Sequence, residues 1–583
     1  MSGPISISEF PGGIEDTYRS TLDALVREDA IGRLFGRDST LWKEDAEHRA
    51  IILNRLGWLD SPHWLKARIE ELETFASEIR GEGFTRVLLL GMGGSSLAPE
   101  VLAEVETAAP GAATLEVLDS TDPAAIRAAE ASHRLDRTFF LVSSKSGRTI
   151  ETLSQYRYFR ARLEETRVKD AARRFAAVTD AGSALERLAR EDGMRRVFLN
   201  PPDIGGRYSA LSYFGMVPAA LLGLDLEALA ERATSAMESS TAKDPARNDA
   251  LRLGAFLAAA AREGRNKLTL LTSPALRPLG YWIEQLVAES TGKEGRGIVP
   301  IEGEPPGFAR YYSDDRCFVS ITLASESASS IAGLGVELKQ AGVPWIDIKL
   351  PDRAELAGEF YRWEVATAIA GSVLGIDPFD EPNVQESKDN TSTILAEIER
   401  TGNVPSGEPR SRDEGVLVYA SDALWLTLTS NTPGHASLEM VIGRFFALKK
   451  PGDYLAVLAY LERTAASESA FAHLRREIRD AIRIPVLQGY GPRYLHSIGQ
   501  LFKGGPESGM FLEITASDGQ DLPIPESRAT FGKLEMAQAL GDLRSLDSRG
   551  KPVLRLHIAG SVTLGLATIT HAVERALVAI APA

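Results

Sequence analysis

The stretch Val87-Leu-Leu-Leu-Gly-Met-Gly-Gly-Ser-Ser-Leu97 decides how this chain is built. Residues 87–90 form a short, wholly apolar run, the pattern of a strand buried on both faces of a parallel sheet. Gly91, Gly93 and Gly94 make the turn, and a helix is expected from about Leu97. Backbone N–H groups at such a helix start point toward an anion, and Ser95 and Ser96 add hydroxyl donors. A purely structural turn is the alternative. A dinucleotide fingerprint fails here, because its third glycine is replaced by Ser96, and Asp119 at the end of the next strand does not restore it.

Outward from this stretch the same pattern repeats. Apolar runs at 115–118, 139–142 and 175–178 each precede Gly/Ser punctuation and a helical stretch, which predicts a parallel sheet with helices on both faces. A second series has strands at 268–271, 318–323 and 345–348, and a third has them near 415–420, 510–514 and 553–558. The fold class is therefore α/β, with doubly wound parallel-sheet domains. The expected organisation is an N-terminal helical segment (1–80), a first domain (81–240), a second (241–400), a linker (401–415) and an additional C-terminal α/β block (416–583). The linker stretch TGNVPSGEPRSRDEG has no apolar pattern.

Bulk properties narrow the function. With 583 residues, 44% hydrophobic and 25% charged, the chain has the composition of a multidomain globular protein. A formal net charge of −15 argues against a nucleic-acid surface but not against an anionic small ligand held by a local cation cluster. Cys317 is the single cysteine, which excludes a disulfide framework and a multi-cysteine metal site. No signal-peptide pattern opens the chain, and apolar runs such as 255–261 are too short to cross a bilayer, so a cytoplasmic protein without membrane attachment is expected.

Three further stretches carry chemistry. Phe139-Phe-Leu-Val-Ser-Ser-Lys-Ser-Gly-Arg-Thr-Ile-Glu-Thr152 is a second strand–helix junction, and Ser144, Lys145, Ser146 and Thr149 suit a compact phosphomonoester. Gly205-Gly-Arg-Tyr-Ser209 offers Arg207, a permanent planar cation, after two glycines. In Tyr281-Trp-Ile-Glu-Gln-Leu-Val-Ala-Glu-Ser-Thr-Gly-Lys293, helical periodicity puts Glu289 on the stripe of Trp282 and Leu286, with Gln285 one turn behind. A carboxylate on an apolar stripe is a usable base near neutral pH. The alternative is a glutamate that ends the helix in solvent.

Taken together, GMGGSSLAPE, SSKSGRTIET, GGRYS, QLVAESTGK and DPFDEPNVQESK, in this order between about 80 and 388, resemble the phosphoglucose isomerase family of paired sugar-isomerase (SIS) domains. The form most similar is the longer isomerase found fused behind transaldolase in some bacteria. The resemblance implies tandem SIS domains and reversible isomerisation of glucose 6-phosphate and fructose 6-phosphate through a cis-enediolate, with no metal and no cofactor. It makes Glu289 the base and Arg207 the cation that stabilises the enediolate. Gly94, Ser95, Ser144, Lys145, Ser146 and Thr149 would bind phosphate, Gln285 would hold the substrate, and Lys388 would assist ring opening.

Two departures stand out. Glu381 replaces the family's usual glutamine and is expected to weaken binding of an anion unless a cation such as Lys388 compensates. No histidine lies between Lys293 and Lys388, where the ring-opening histidine is normally found. His496, in Gly491-Pro-Arg-Tyr-Leu-His-Ser-Ile-Gly-Gln500, has the matching context beyond the linker and is assigned ring opening, with His435 the weaker rival. The partner is expected to be a small sugar phosphate, and the protein a monomer or homodimer. The alternatives are an isomerase of another phosphosugar, such as mannose 6-phosphate, and a sugar-phosphate-binding protein without turnover.

Overall fold

The computed structural model describes residues 5–132, 134–430, 436–517 and 519–580. Its strands, in chain order, are β1 (Ser6–Phe10), β2 (Arg86–Gly91), β3 (Thr114–Leu118), β4 (Thr138–Ser143), β5 (Phe175–Asp180), β6 (Arg196–Asn200), β7 (Lys267–Thr272), β8 (Val299–Ile301), β9 (Arg316–Leu323), β10 (Trp345–Leu350), β11 (Ser411–Asp413), β12 (Val416–Tyr419), β13 (Tyr454–Tyr460), β14 (Val486–Tyr490), β15 (Gly509–Ala516) and β16 (Val553–Ile558). They form three sheets, ordered β3-β2-β4-β5-β6, β1-β10-β9-β7-β8 and β11-β12-β16-β15-β13-β14. The first is parallel throughout.

The second and third sheets share one plan. In both, two strands run parallel at the centre (β9 and β7; β15 and β13), a third closes the far edge (β8; β14), and an antiparallel strand pairs with the fourth (β1 on β10; β12 on β16). The C-terminal block thus repeats the five-strand topology of the second sheet and adds β11 as a further antiparallel strand at the edge.

Differences from the sequence expectation have local causes. Residues 6–10 form a strand inside the supposedly helical N-terminal segment, because their polar, half-exposed side chains suit an edge strand on β10. The stretch 401–415 is partly ordered, since β11 pairs with β12 and the Asp413 carboxylate accepts from Leu438 N at 2.8 Å. Helix Val562–Ile580 is long and apolar enough to span a membrane, contrary to the expectation that no segment is. It instead lays Leu566, Ile569, Val573 and Leu577 in the core of the third sheet, and Glu574 and Arg575 pair with His473 and Glu439.

The three units are joined by shared apolar cores. One core joins Trp58, Leu89 and Phe139 of the first unit to Leu270, Trp282 and Phe360 of the second. The opposite face of the first sheet meets Ile524, Phe531 and Leu534 of the third block, while Ala288 and Ile301 pack on Leu458, Tyr460 and Leu501. Buried charge fixes the register of this docking. Glu304 holds Arg316 at 2.7 and 3.1 Å and also accepts from Val486 N of the third block at 3.3 Å. Arg493 donates to Asp119 at 2.9 Å, so the carboxylate that invites a dinucleotide reading is bound by the third block instead.

Helix Val384–Thr401 crosses helix Phe531–Asp547 at Gly541, where an added Cβ would lie 2.6 Å from Thr391 Oγ1 and 3.0 Å from its backbone N. Gly541→Val should therefore overpack this crossing and destabilise the protein by about 1–3 kcal/mol. Chemical denaturation measures this, and an unchanged midpoint would show that the two helices can part freely.

Candidate active site

The site assembles where three chain segments meet backbone to backbone. Gly93, at φ +55°, leaves no room for a side chain, because its Cβ would lie 2.3 Å from the His496 carbonyl oxygen. The Cβ of Gly94 would lie 2.2 Å from the Gly206 oxygen. The glycines of the 91–94 turn are thus required by close approach, from one side by the histidine segment and from the other by the Arg207 turn.

Helix Arg277–Thr291 delivers Gln285 and Glu289 one turn apart. Gln285 Nε2 donates to Glu289 Oε2 at 3.1 Å and to the His496 carbonyl at 2.8 Å, so one amide joins the two segments. The Glu289 side chain keeps 13% exposure. Burial pushes its pKa up, with Arg207 opposing and Glu381 adding to the rise.

Arg207, in the turn Gly206–Tyr208, is only 3% exposed. Nε donates to Ser290 Oγ at 2.8 Å, Nη2 to the carbonyls of Pro378 and Asp380 at 2.7 and 2.8 Å, and Nη1 to Glu381 Oε2 at 3.1 Å. Nη1 also lies 3.4 Å from Glu289 Oε1. Lys293 braces the same 377–380 loop through the Asp377 carbonyl at 2.6 Å and an ion pair with Asp380, and burial lowers its pKa to about 8.

Across the site, His496 ends the turn Arg493–His496, and its Nε2 lies 2.7 Å from Glu151 Oε1. Gln538 Nε2 donates to the same oxygen at 2.6 Å, and its Oε1 accepts from Thr121 Oγ1 at 2.8 Å. Glu151 sits in the first turn of helix Ile150–Glu165, where the helix dipole favours negative charge. Although burial works against ionisation, His496 and the more distant Lys388 hold its pKa below the usual range. Ionised Glu151 makes Nε2 the donor and leaves Nδ1 of His496 for a ligand.

The 144–149 loop is folded on itself. Ser144 Oγ lies 2.9 Å from Thr149 Oγ1 and accepts from Gly147 N at 3.1 Å, and Ser146 Oγ accepts from Arg148 N at 3.3 Å.

The phosphoglucose isomerase family model matches residues 65–298. A glucose-6-phosphate isomerase of Symbiobacterium thermophilum is 31% identical over 392 residues, which is 58% of this chain and 86% of the relative. The chain belongs to the phosphoglucose isomerase family. A glucose-6-phosphate isomerase of Clostridioides difficile is 28% identical over 394 residues, again 58% of this chain and 86% of that protein. The crystal structure of a hypothetical protein from Thermus thermophilus shares the fold, with a TM-score of 0.56 and 24% identity, covering 67% of this chain and all of that one.

Within this family frame, Glu289, Gln285, Arg207 and the His496 segment come together directly, and Gly94 and Ser95 lie in the turn against them. Lys145 is engaged elsewhere: its ammonium pairs with Asp180 and donates to the Pro202 carbonyl at 3.3 Å. Lys388 is exposed on helix Val384–Thr401, and the cation that meets Glu381 is Arg207. His435 lies outside the described residues. Sequence reasoning missed Glu151, Gln538 and Ser290. Glu151 stands inside a quoted motif, but its partner His496 is 345 positions away, and no local pattern links them.

Because the pKa of Glu151 is depressed, its contribution to stability is present above its unfolded value near 4.5 and is lost as pH falls through the lower folded value. Denaturation midpoints measured from about pH 5 to about pH 3 should fall less steeply for Glu151→Gln than for wild type. Parallel curves would mean that the His496 contact does not stabilise the ionised carboxyl.

Proposed function

We propose that this protein interconverts glucose 6-phosphate and fructose 6-phosphate, with Glu289 as the base. The observation that carries this reading is the largely buried Glu289 carboxylate beside the buried Arg207 guanidinium, tied through Gln285 to the segment of His496. Proton abstraction next to a carbonyl needs such a pair, a desolvated base and a fixed cation where the oxyanion grows. The family relationship supports the same assignment.

His496 opens the ring. Its Nδ1 proton passes to the ring oxygen as the C1–O5 bond breaks, and it recovers a proton from the C1 hydroxyl, while Glu151 stabilises the imidazolium. Lys388 assists as a nearby cation. Glu289 then takes the C2 proton, and the electron pair moves to the carbonyl oxygen to give the cis-enediolate, whose charge Arg207 balances. A proton then passes from the C2 hydroxyl to the C1 oxygen, and Glu289 returns its proton to C1 as the C2 oxygen becomes the carbonyl, so no atom is gained or lost and no cofactor takes part.

We place the phosphate at the two strand–helix junctions of the first sheet, on Ser95, Ser144, Ser146 and Thr149. Lys145 joins them by leaving Asp180, a carboxyl whose pKa is already raised by burial. The assigned units are a first SIS domain at 81–240, a second at 241–400 and a C-terminal block at 416–583 that brings His496, in one chain as a monomer or in a homodimer. A cytoplasmic location fits this substrate.

A coupled assay from fructose 6-phosphate, run with chelator, tests the activity. Glu289→Gln should lower the rate by about 10²–10⁴-fold while sugar-phosphate binding persists. Exchange of the C2 proton with solvent isolates the base step. Activity within a few-fold of wild type would remove Glu289 from that role.

A further inference from the structure

One terminal nitrogen of Arg207 serves two carboxylates. Nη1 donates to Glu381 Oε2 at 3.1 Å and lies 3.4 Å from Glu289 Oε1. Nε is committed to Ser290 and Nη2 to the Pro378 and Asp380 carbonyls, so the two hydrogens of Nη1 are what remains for the carboxylates, and the shorter contact is to Glu381. The carboxylate that holds the hydrogen bond is Glu381, with a 45% exposed side chain, and not the proposed base at 13%.

We propose that Glu381 is a positioning residue that draws Arg207 off Glu289 in the free site, so that the base is not captured by its own cation. This rests on the reading of Glu289 as the base. A carboxylate fully paired with a buried arginine is stabilised in its charged form and is a weak base. Glu381 counters that in two ways, by holding Nη1 at hydrogen-bond distance while Glu289 stays at 3.4 Å, and by adding negative charge to the same locus. When substrate binds, the guanidinium is already poised over the place where negative charge will grow.

The other groups around Glu289 are accounted for. Gln285, on its own helix, is neutral and donates to it. Lys293, just beyond the helix end, favours the charged form, but its ammonium is spent on the 377–380 loop. The third block presents the His496 carbonyl to Gln285, and the imidazole is turned to Glu151. Burial is the largest influence on Glu289, Arg207 opposes it, and Glu381 works in the same direction as burial. Among the charged neighbours, Glu381 can therefore be neutralised without cutting a support of the backbone.

Glu381→Gln keeps an oxygen that accepts from Arg207 and removes only the charge, whereas Glu381→Ala removes both. Since Glu289 acts when ionised, activity is lost as pH falls through its raised pKa, and lowering that pKa extends activity to lower pH. The acid limb of kcat/KM against pH, which reports the free enzyme, should move to lower pH in Glu381→Gln. The wild-type limb should move the same way as salt is raised, because Glu381 is partly exposed and is screened more than the buried pair. Glu381→Ala should also lose kcat, as Nη1 is then free to close on Glu289. A Glu381→Gln limb coincident with wild type, or moved upward, overturns the proposal, as does a salt-independent wild-type limb. A wild-type protein that does not isomerise the sugar phosphate overturns the functional reading instead, so the two failures are distinct.

Discussion

The buried charge of Arg207 is the constraint on which the site depends. A guanidinium with 3% exposure is tolerable only if its donors are met, and here they are met by Ser290, two loop carbonyls and Glu381. Arg207 belongs to the turn at 206–208, and its partners come from the helix of Glu289 and from the 378–381 loop. Satisfying one side chain therefore fixes the helix of Glu289 against the loop, and Lys293 fixes the loop in turn. The glycine turn at 91–94 closes the remaining side by direct backbone approach, which a single methyl group would prevent.

The repeated topology explains how a distant histidine can serve this centre. The second and third sheets share a five-strand order, to which the third adds β11, yet they contribute different groups: Glu289 comes with the former and His496 with the latter. The third block is docked by two kinds of contact. Apolar packing of Ala288 and Ile301 on Leu458 and Leu501 supplies non-directional adhesion. The Glu304–Arg316–Val486 and Arg493–Asp119 contacts supply direction, the best-attested use of buried charge. His496 is then held at both ends, by its carbonyl on Gln285 and by its ring on Glu151.

Much of the fold was legible because parallel strands buried on both faces leave unbroken apolar runs. That held for β2, β4 and β5, and for β9, β15 and β16 in the later sheets. Short or half-exposed strands left no such trace: β8 has three residues including Pro300, and β1 alternates with polar side chains on an edge. The seven buried residues of β13 are a strong signal that the sequence analysis passed over. At the site, helical spacing put Glu289 and Gln285 on one stripe but did not by itself separate a base from a glutamate that ends the helix in solvent. Glu151 and Gln538 were not readable, because their role lies in contacts between blocks, and periodicity reports only on the element that carries it. The sharing of Arg207 between Glu289 and Glu381 was likewise invisible, as charge alone does not say which cation a carboxylate will find.

The central claim is that one chain brings its own Glu289 and His496 to one centre. Mixing inactive Glu289→Gln protein with inactive His496→Ala protein, under conditions of full subunit exchange, tests it most directly. If the two groups act within one chain, every mixed assembly still pairs each intact residue with a damaged one, and activity stays at the level of the separate variants. Recovery toward about a quarter of wild-type activity, as expected when half of the dimers are mixed and each mixed dimer holds one intact interchain site, would show that the histidine acts across subunits and would contradict the arrangement described.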